Sequence, residues 1–196
     1  TSERQKMQNI NERLSGVCPI LPTPFCEDDT IDCGSLEREV NFLLDSGVSG
    51  IALFGNASEA FALTAAEKQQ IAELVVRVNN GRVPLVFGAG GTGIEPAIDS
   101  AQWAYKNGAD VLMMMPPYMI KPDAQRIYDY YAAVAKAVPL PIMIQDAPGA
   151  CGVNIPIDTI VRLVNDYDNI RFVKAEAPPT FQKAKKIIEA TGGKVT

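Results

Sequence analysis

The chain has no histidine among its 196 residues. That removes the commonest metal ligand and the usual partner of a serine or cysteine nucleophile, so any proton chemistry must use Lys, Glu, Asp, Tyr or Ser. There is also no apolar stretch long enough to span a bilayer, and the first fifteen residues, Thr1 to Ser15, are polar and charged rather than a secretory core. A cytoplasmic protein is the expectation. Basic runs are missing too: 18 Lys and Arg against 23 Asp and Glu give a formal charge of −5, with no aromatics interleaved among arginines. No footprint for nucleic acid or an anionic membrane is left, and a small-molecule partner is expected. The four cysteines, Cys18, Cys26, Cys33 and Cys151, lack the paired spacing of a zinc site, and a chain this long folds without disulfides. They read as reduced thiols, with no metal and no cofactor.

What the sequence does have is a repeat. Apolar runs rich in β-branched residues begin at 17, 50, 84, 110, 141 and 170, and read as buried strands. Helical periodicity fills the gaps over 35–46, 65–78, 96–107, 124–137, 157–165 and 181–190. Thr64 before Ala65-Ala66-Glu67 reads as a capping box, and Gly47 and Gly108 as helix stops. A unit of about thirty residues is what parallel βαβ crossovers require. Gly88-Ala89-Gly90-Gly91-Thr92-Gly93 fits the dinucleotide pattern G-x-G-x-x-G, but that fingerprint belongs on the first strand, with an acid ending the next one. Here Asp110 begins a strand, and the glycines read as a rim turn. The fold class expected is α/β, a (β/α)₈ TIM barrel truncated after about six βα units. Residues 1–15 would be a polar extension and 16–196 one barrel domain whose seventh strand opens at Gly192 to Thr196. Typical barrels of this kind need about 250 residues.

Active sites of such barrels lie where the strands end. After the second strand, Gly55-Asn56-Ala57-Ser58-Glu59-Ala60 is a small polar turn able to hold a carboxylate, or simply a solvated turn with a helix cap. After the fourth, Met113 to Met115 read as core, and Tyr118 as a lid residue or proton donor. After the fifth, Gln145 to Gly152 is dense in turn formers and readable as an ordinary loop. The sixth, Ile170 to Glu176, carries Lys174 where an apolar strand meets the rim. A desolvated amine loses part of its preference for the charged form and becomes nucleophilic. Strand alternation puts Glu176 on the same side, so the two face one cavity, either as catalytic groups or as a solvated rim pair.

Together, the opening Pro19 to Phe25, the Gly55 to Glu59 turn and Lys174 resemble the dihydrodipicolinate synthase / N-acetylneuraminate lyase superfamily, from about Gly16 onward. The resemblance implies a (β/α)₈-barrel enzyme, commonly a tetramer, that needs no metal or organic cofactor and uses Lys174 for a Schiff base with a 2-keto acid. It also implies a homo-oligomer, dimer or tetramer. It makes Asn56, Ala57 and Ser58 the carboxylate-binding turn and places Gln145 in the substrate site. The family's fifth-strand motif Tyr-Asn-x-Pro-x-Arg-Thr-Gly appears here with Gln145 for the tyrosine and Ala150 for the arginine. A glutamine cannot shuttle protons and an alanine cannot hold a carboxylate. Met119 takes the place of a tyrosine that reaches into a neighbouring subunit in some members. The combination of Gln145-Asp146-Ala147-Pro148, Pro116-Pro117-Tyr118 and Lys174-Ala175-Glu176 looks most like the 2-keto-3-deoxy-L-arabonate dehydratases. The expectation is therefore dehydration of that sugar acid to 2-oxoglutarate semialdehyde, with Glu176 as first acid and base and Tyr118 as second. Glu59 reads as structural. An aldolase or synthase of the same superfamily, or an inactive barrel with a binding role, are the alternatives.

Overall fold

The computed structural model describes residues 10–196. Two compact units emerge, residues up to Gly88 with Lys106–Val111 forming one, and Ala89–Tyr105 with Leu112–Thr196 the other. The single domain expected from the sequence is thus described in two parts.

In the first unit a short helix α1 (Ile10–Arg13) precedes α2 (Cys33–Asp45), β1 (Ile51–Leu53), α3 (Ala65–Asn79) and β2 (Leu85–Gly88). Ile10 is buried, so the C-terminal part of the stretch expected as a polar extension carries a core residue, while residues 1–9 lie outside the described residues. β1 and β2 pair in parallel, Ile51 opposite Leu85 and Leu53 opposite Phe87. The strand expected at 17–21 is reduced to a single parallel bridge between Ile20 and Ala52. The cause is proline: Pro19, Pro22 and Pro24 have no N–H to give a ladder, and here Pro19 contributes only its carbonyl, which accepts from Ala52. α3 forms where its capping box dictates, Thr64 accepting from Glu67 N–H while the Glu67 carboxylate reaches back to Thr64 N–H at 2.7 Å. Gly108 stands at φ +94 with Val76 already against its Cα, which is why a side chain is absent there.

β1 ends in backbone that few residues adopt: Phe54 has φ 59. A bulky residue in the left-handed region is held there only by its surroundings. Phe54 is buried edge-on against Phe87, ring centroids 5.3 Å apart, and its carbonyl occupies the space where a side chain at position 88 would lie. Gly88 is therefore a steric requirement of the Phe54 conformation, not a phosphate-binding glycine.

The second unit carries α4 (Ile94–Lys106), most of β3 (Val111–Met114), α5 (Ala124–Ala137), β4 (Ile142–Asp146), a one-turn helix α6 (Pro148–Cys151), α7 (Ile157–Asp166), β5 (Ile170–Ala175) and α8 (Thr180–Ala190). α5 buries Ile127, Tyr130, Tyr131 and Val134, the three-and-four spacing of one helix face, and Asp123 caps its start by accepting from Arg126 N–H. β3, β4 and β5 are neighbours in one parallel ladder. Between Ile142/Met143 and Ile170/Phe172 the ladder skips Arg171, a bulge that moves the register by one residue. Beyond β5, Thr196 accepts from Val173 N–H and donates to Arg171 C=O, the bonding of a parallel neighbour where the seventh strand was expected to open.

The glycine turn after β2 packs against α5. Gly91 N–H donates to Tyr130 Oη at 3.0 Å, and a side chain at Gly91 would strike Pro96 and Ala97 at the start of α4. Gly88→Ala should destabilise the protein by ~1–3 kcal/mol, because the new methyl meets backbone, which cannot swing away. Urea denaturation checks this; an unchanged midpoint would mean that Phe54 leaves its left-handed conformation at no cost.

Candidate active site

Gln145 and Lys174 are cross-strand partners at the C-terminal ends of β4 and β5, as are Asp146 and Ala175. Without the bulge at Arg171, Lys174 would stand opposite Asp146 instead. The ladder continues one residue past β5, since Glu176 N–H donates to Asp146 C=O at 2.9 Å, and this holds Glu176 in the extended conformation that alternation needs. As a result Lys174 Nζ lies 3.2 Å from Glu176 Oε1, and Gln145 Nε2 donates to that same oxygen at 2.9 Å. Three of the expected site residues are thus brought together on one oxygen atom.

The environment is graded. Gln145 is buried, whereas the Lys174 and Glu176 side chains keep 32% and 41% of their exposure. The neighbours of Glu176 are a cation and an amide donor, both suited to a carboxylate oxygen. Tyr118 is half exposed in the loop after β3. Its phenol lies close enough to Tyr130 to add to the raising of that hydroxyl to about 12, which is mainly an effect of burial. No hydrogen bond joins Tyr118 to Lys174 or Glu176 among the described residues.

Asn56, Ala57 and Ser58 belong to the first unit and form one turn of 3₁₀ helix. Asn56 and Ala57 are exposed and Ser58 is buried. The Ser58 hydroxyl donates to Leu21 C=O at 2.6 Å, and Thr23 Oγ1 donates to Ser58 C=O at 2.7 Å. With its proton given to Leu21, the Ser58 hydroxyl has only lone pairs left to offer and supports the turn. Glu59 closes the turn in the left-handed region at φ 54, its N–H on Asn56 C=O, as a structural residue would. Ala150 lies exposed on α6. Among the described residues no group of three metal-ligating side chains forms.

Sequence reasoning missed one charged pair. Asp146, fully buried, meets Lys183 Nζ of α8 at 2.6 Å. Nothing in the sequence marks it, because a strand-end aspartate and a helix lysine are each ordinary alone.

The family model described as "Dihydrodipicolinate synthetase family" matches residues 13–196. The chain belongs to the dihydrodipicolinate synthetase family. The 4-hydroxy-tetrahydrodipicolinate synthase of Methanocaldococcus jannaschii is 36% identical over 175 residues, 89% of this chain and 60% of that protein. The same enzyme name belongs to a Phocaeicola vulgatus relative, 34% identical over 84% of this chain and 56% of its own length. Among solved structures, dihydrodipicolinate synthase from Acinetobacter baumannii complexed with pyruvate aligns with TM-score 0.89 at 32% identity, covering 93% of this chain and 62% of that one. The chain thus spans about three fifths of the length of these relatives. The fold class is the α/β (β/α)₈-barrel of the family. These relatives are named as synthases and not as arabonate dehydratases, so the comparison supports the family and leaves the narrower subfamily resemblance without support.

Gln145→Ala should remove a donor from Glu176 and leave Lys174 as its remaining close partner, loosening the carboxylate. NMR relaxation of the Glu176 side chain checks this; unchanged order would mean that the amide does not hold Glu176.

Proposed function

We propose that Lys174 forms a Schiff base with the ketone of a 2-keto acid and that the protein is a lyase of the aldolase or synthase kind. The observation that carries this is the cluster of Lys174, Glu176 and Gln145 on one carboxylate oxygen at the ends of two barrel strands. Glu176 is within reach to take the ammonium proton of Lys174 and leave a free amine. The amine attacks C2 of the keto acid, and the carbinolamine loses its hydroxyl as water as the proton returns from Glu176. The iminium withdraws electrons from C3, so a C3 proton can pass to Glu176 and leave an enamine. Attack of that enamine on an aldehyde carbon makes a carbon–carbon bond, and the reverse course breaks one. The relatives' shared name supports this course, and the pyruvate in the Acinetobacter baumannii structure supports the substrate class. Taken by itself, the 3₁₀ turn at Asn56 is suited to holding a carboxylate.

A second reading rests on a specific feature. Where a tyrosine would relay protons, Gln145 instead donates to Glu176. A carboxyl that alone takes the C3 proton and then protonates a departing C4 hydroxyl would dehydrate a 2-keto-3-deoxy acid, giving 2-oxoglutarate semialdehyde from 2-keto-3-deoxy-L-arabonate. For assembly we infer a homo-oligomer, supported by the exposed apolar pair Met119 and Ile120.

Lys174→Ala should abolish turnover of every 2-keto acid tested and leave the circular dichroism spectrum unchanged; near-normal turnover would remove the Schiff-base mechanism. Glu176→Gln should slow product formation by about 10²-fold or more. Product analysis separates the two readings. Pyruvate exchanged with an aldehyde fragment supports the aldolase or synthase, whereas loss of water without a change in carbon skeleton supports the dehydratase.

A further inference from the structure

We propose that Lys183 is a positioning residue for the Lys174 cluster, acting through Asp146. The inference rests on the Schiff-base reading only for its activity readout. Asp146 is 0% exposed and Lys183 15%, with Nζ and Oδ2 2.6 Å apart. Oδ2 receives no well-angled hydrogen bond among the described residues, so the attraction is electrostatic. The same ammonium donates to Ile155 C=O at 2.9 Å, and Asp146 Oδ1 accepts from Ile155 N–H at 3.4 Å. One cation therefore ties α8, the segment before α7 and the last residue of β4 together.

What that residue holds gives the pair its functional content. Asp146 follows Gln145 directly, and its carbonyl accepts Glu176 N–H. Any shift of Asp146 moves both residues that contact Lys174 or its carboxylate partner. Consecutive strand residues face opposite sides, so Asp146 is not itself beside the substrate. The groups that face Asp146 are Lys183 from α8 and the Tyr131 phenol from α5, with which its carboxylate is electrostatically coupled. Of these Lys183 alone is a cation. Lys174 and Glu176 lie on the other face of the ladder.

Removing one partner of a buried pair leaves an uncompensated charge, whereas removing both does not. In Lys183→Met the buried Asp146 carboxylate has no counter-ion, and the end of β4 should shift to bring it towards water. The protein, with pyruvate as probe and borohydride as trap, reads this. Lys183→Met should lose ~10- to 100-fold in trapping rate. Combining it with Asp146→Asn should restore trapping to within about threefold. Hydrogen exchange at the Glu176 amide should accelerate in the single variant and return to the parent rate in the double one. A loss that the double variant does not repair, or one with no change in exchange at the Glu176 amide, would overturn the proposal and leave the pair as stability alone. Should the parent itself fail to trap pyruvate, the Schiff-base reading falls, and the Glu176 exchange comparison still decides the role of Lys183.

Discussion

The register between β4 and β5 is the constraint on which the site depends. A parallel ladder fixes which side chains share a face, and a slip of one residue exchanges the faces. The bulge at Arg171 sets Lys174 opposite Gln145 rather than Asp146. The Lys174 amine thereby shares a carboxylate with an amide on one face, while the aspartate turns to the other and meets α8. Two kinds of electrostatics result from adjacent residues of one strand. On the rim face the charges stay partly solvated. On the other face a carboxylate sits in full burial and is held by a single ammonium, an arrangement in which loss of either partner is expensive.

Much of this was legible from periodicity. Helices form over 65–79 and 124–137, where the apolar spacing placed them at 65–78 and 124–137, and the first starts at the expected Thr64 capping box. The pairing of Lys174 with Glu176 follows from a period of two, and the structure adds the backbone bond that keeps the strand extended through Glu176. The expected first strand fails because apolar content was read without charging prolines for their missing donors, and only the Ile20 bridge survives. The bulge was not legible: nothing local in Ile170-Arg171-Phe172 announces that one residue will be skipped. The Asp146–Lys183 pair was hidden for a different reason, since it joins positions 37 apart that come together only after α6, α7 and β5 have formed. Ser58 was identified as polar and near the rim, but which partner takes its proton depends on where Leu21 lies, and sequence does not carry that.

The family and the particular residues pull in different directions, and both have a physical meaning. Relatives over most of the chain are named as synthases, which favours the keto-acid Schiff base and carbon–carbon chemistry. Gln145 and Ala150 withdraw a proton relay and a cation from the positions where the family keeps them. What remains near the Lys174 amine is one carboxylate with an amide donor.

The central claim is that Lys174, and no other lysine, is the amine that meets the substrate. Peptide mapping by mass spectrometry after pyruvate and borohydride treatment of the full-length protein addresses it most directly. The account predicts a single reduced pyruvate adduct, on the peptide that contains Lys174. An adduct on Lys183 or any other lysine with Lys174 unmodified would contradict it.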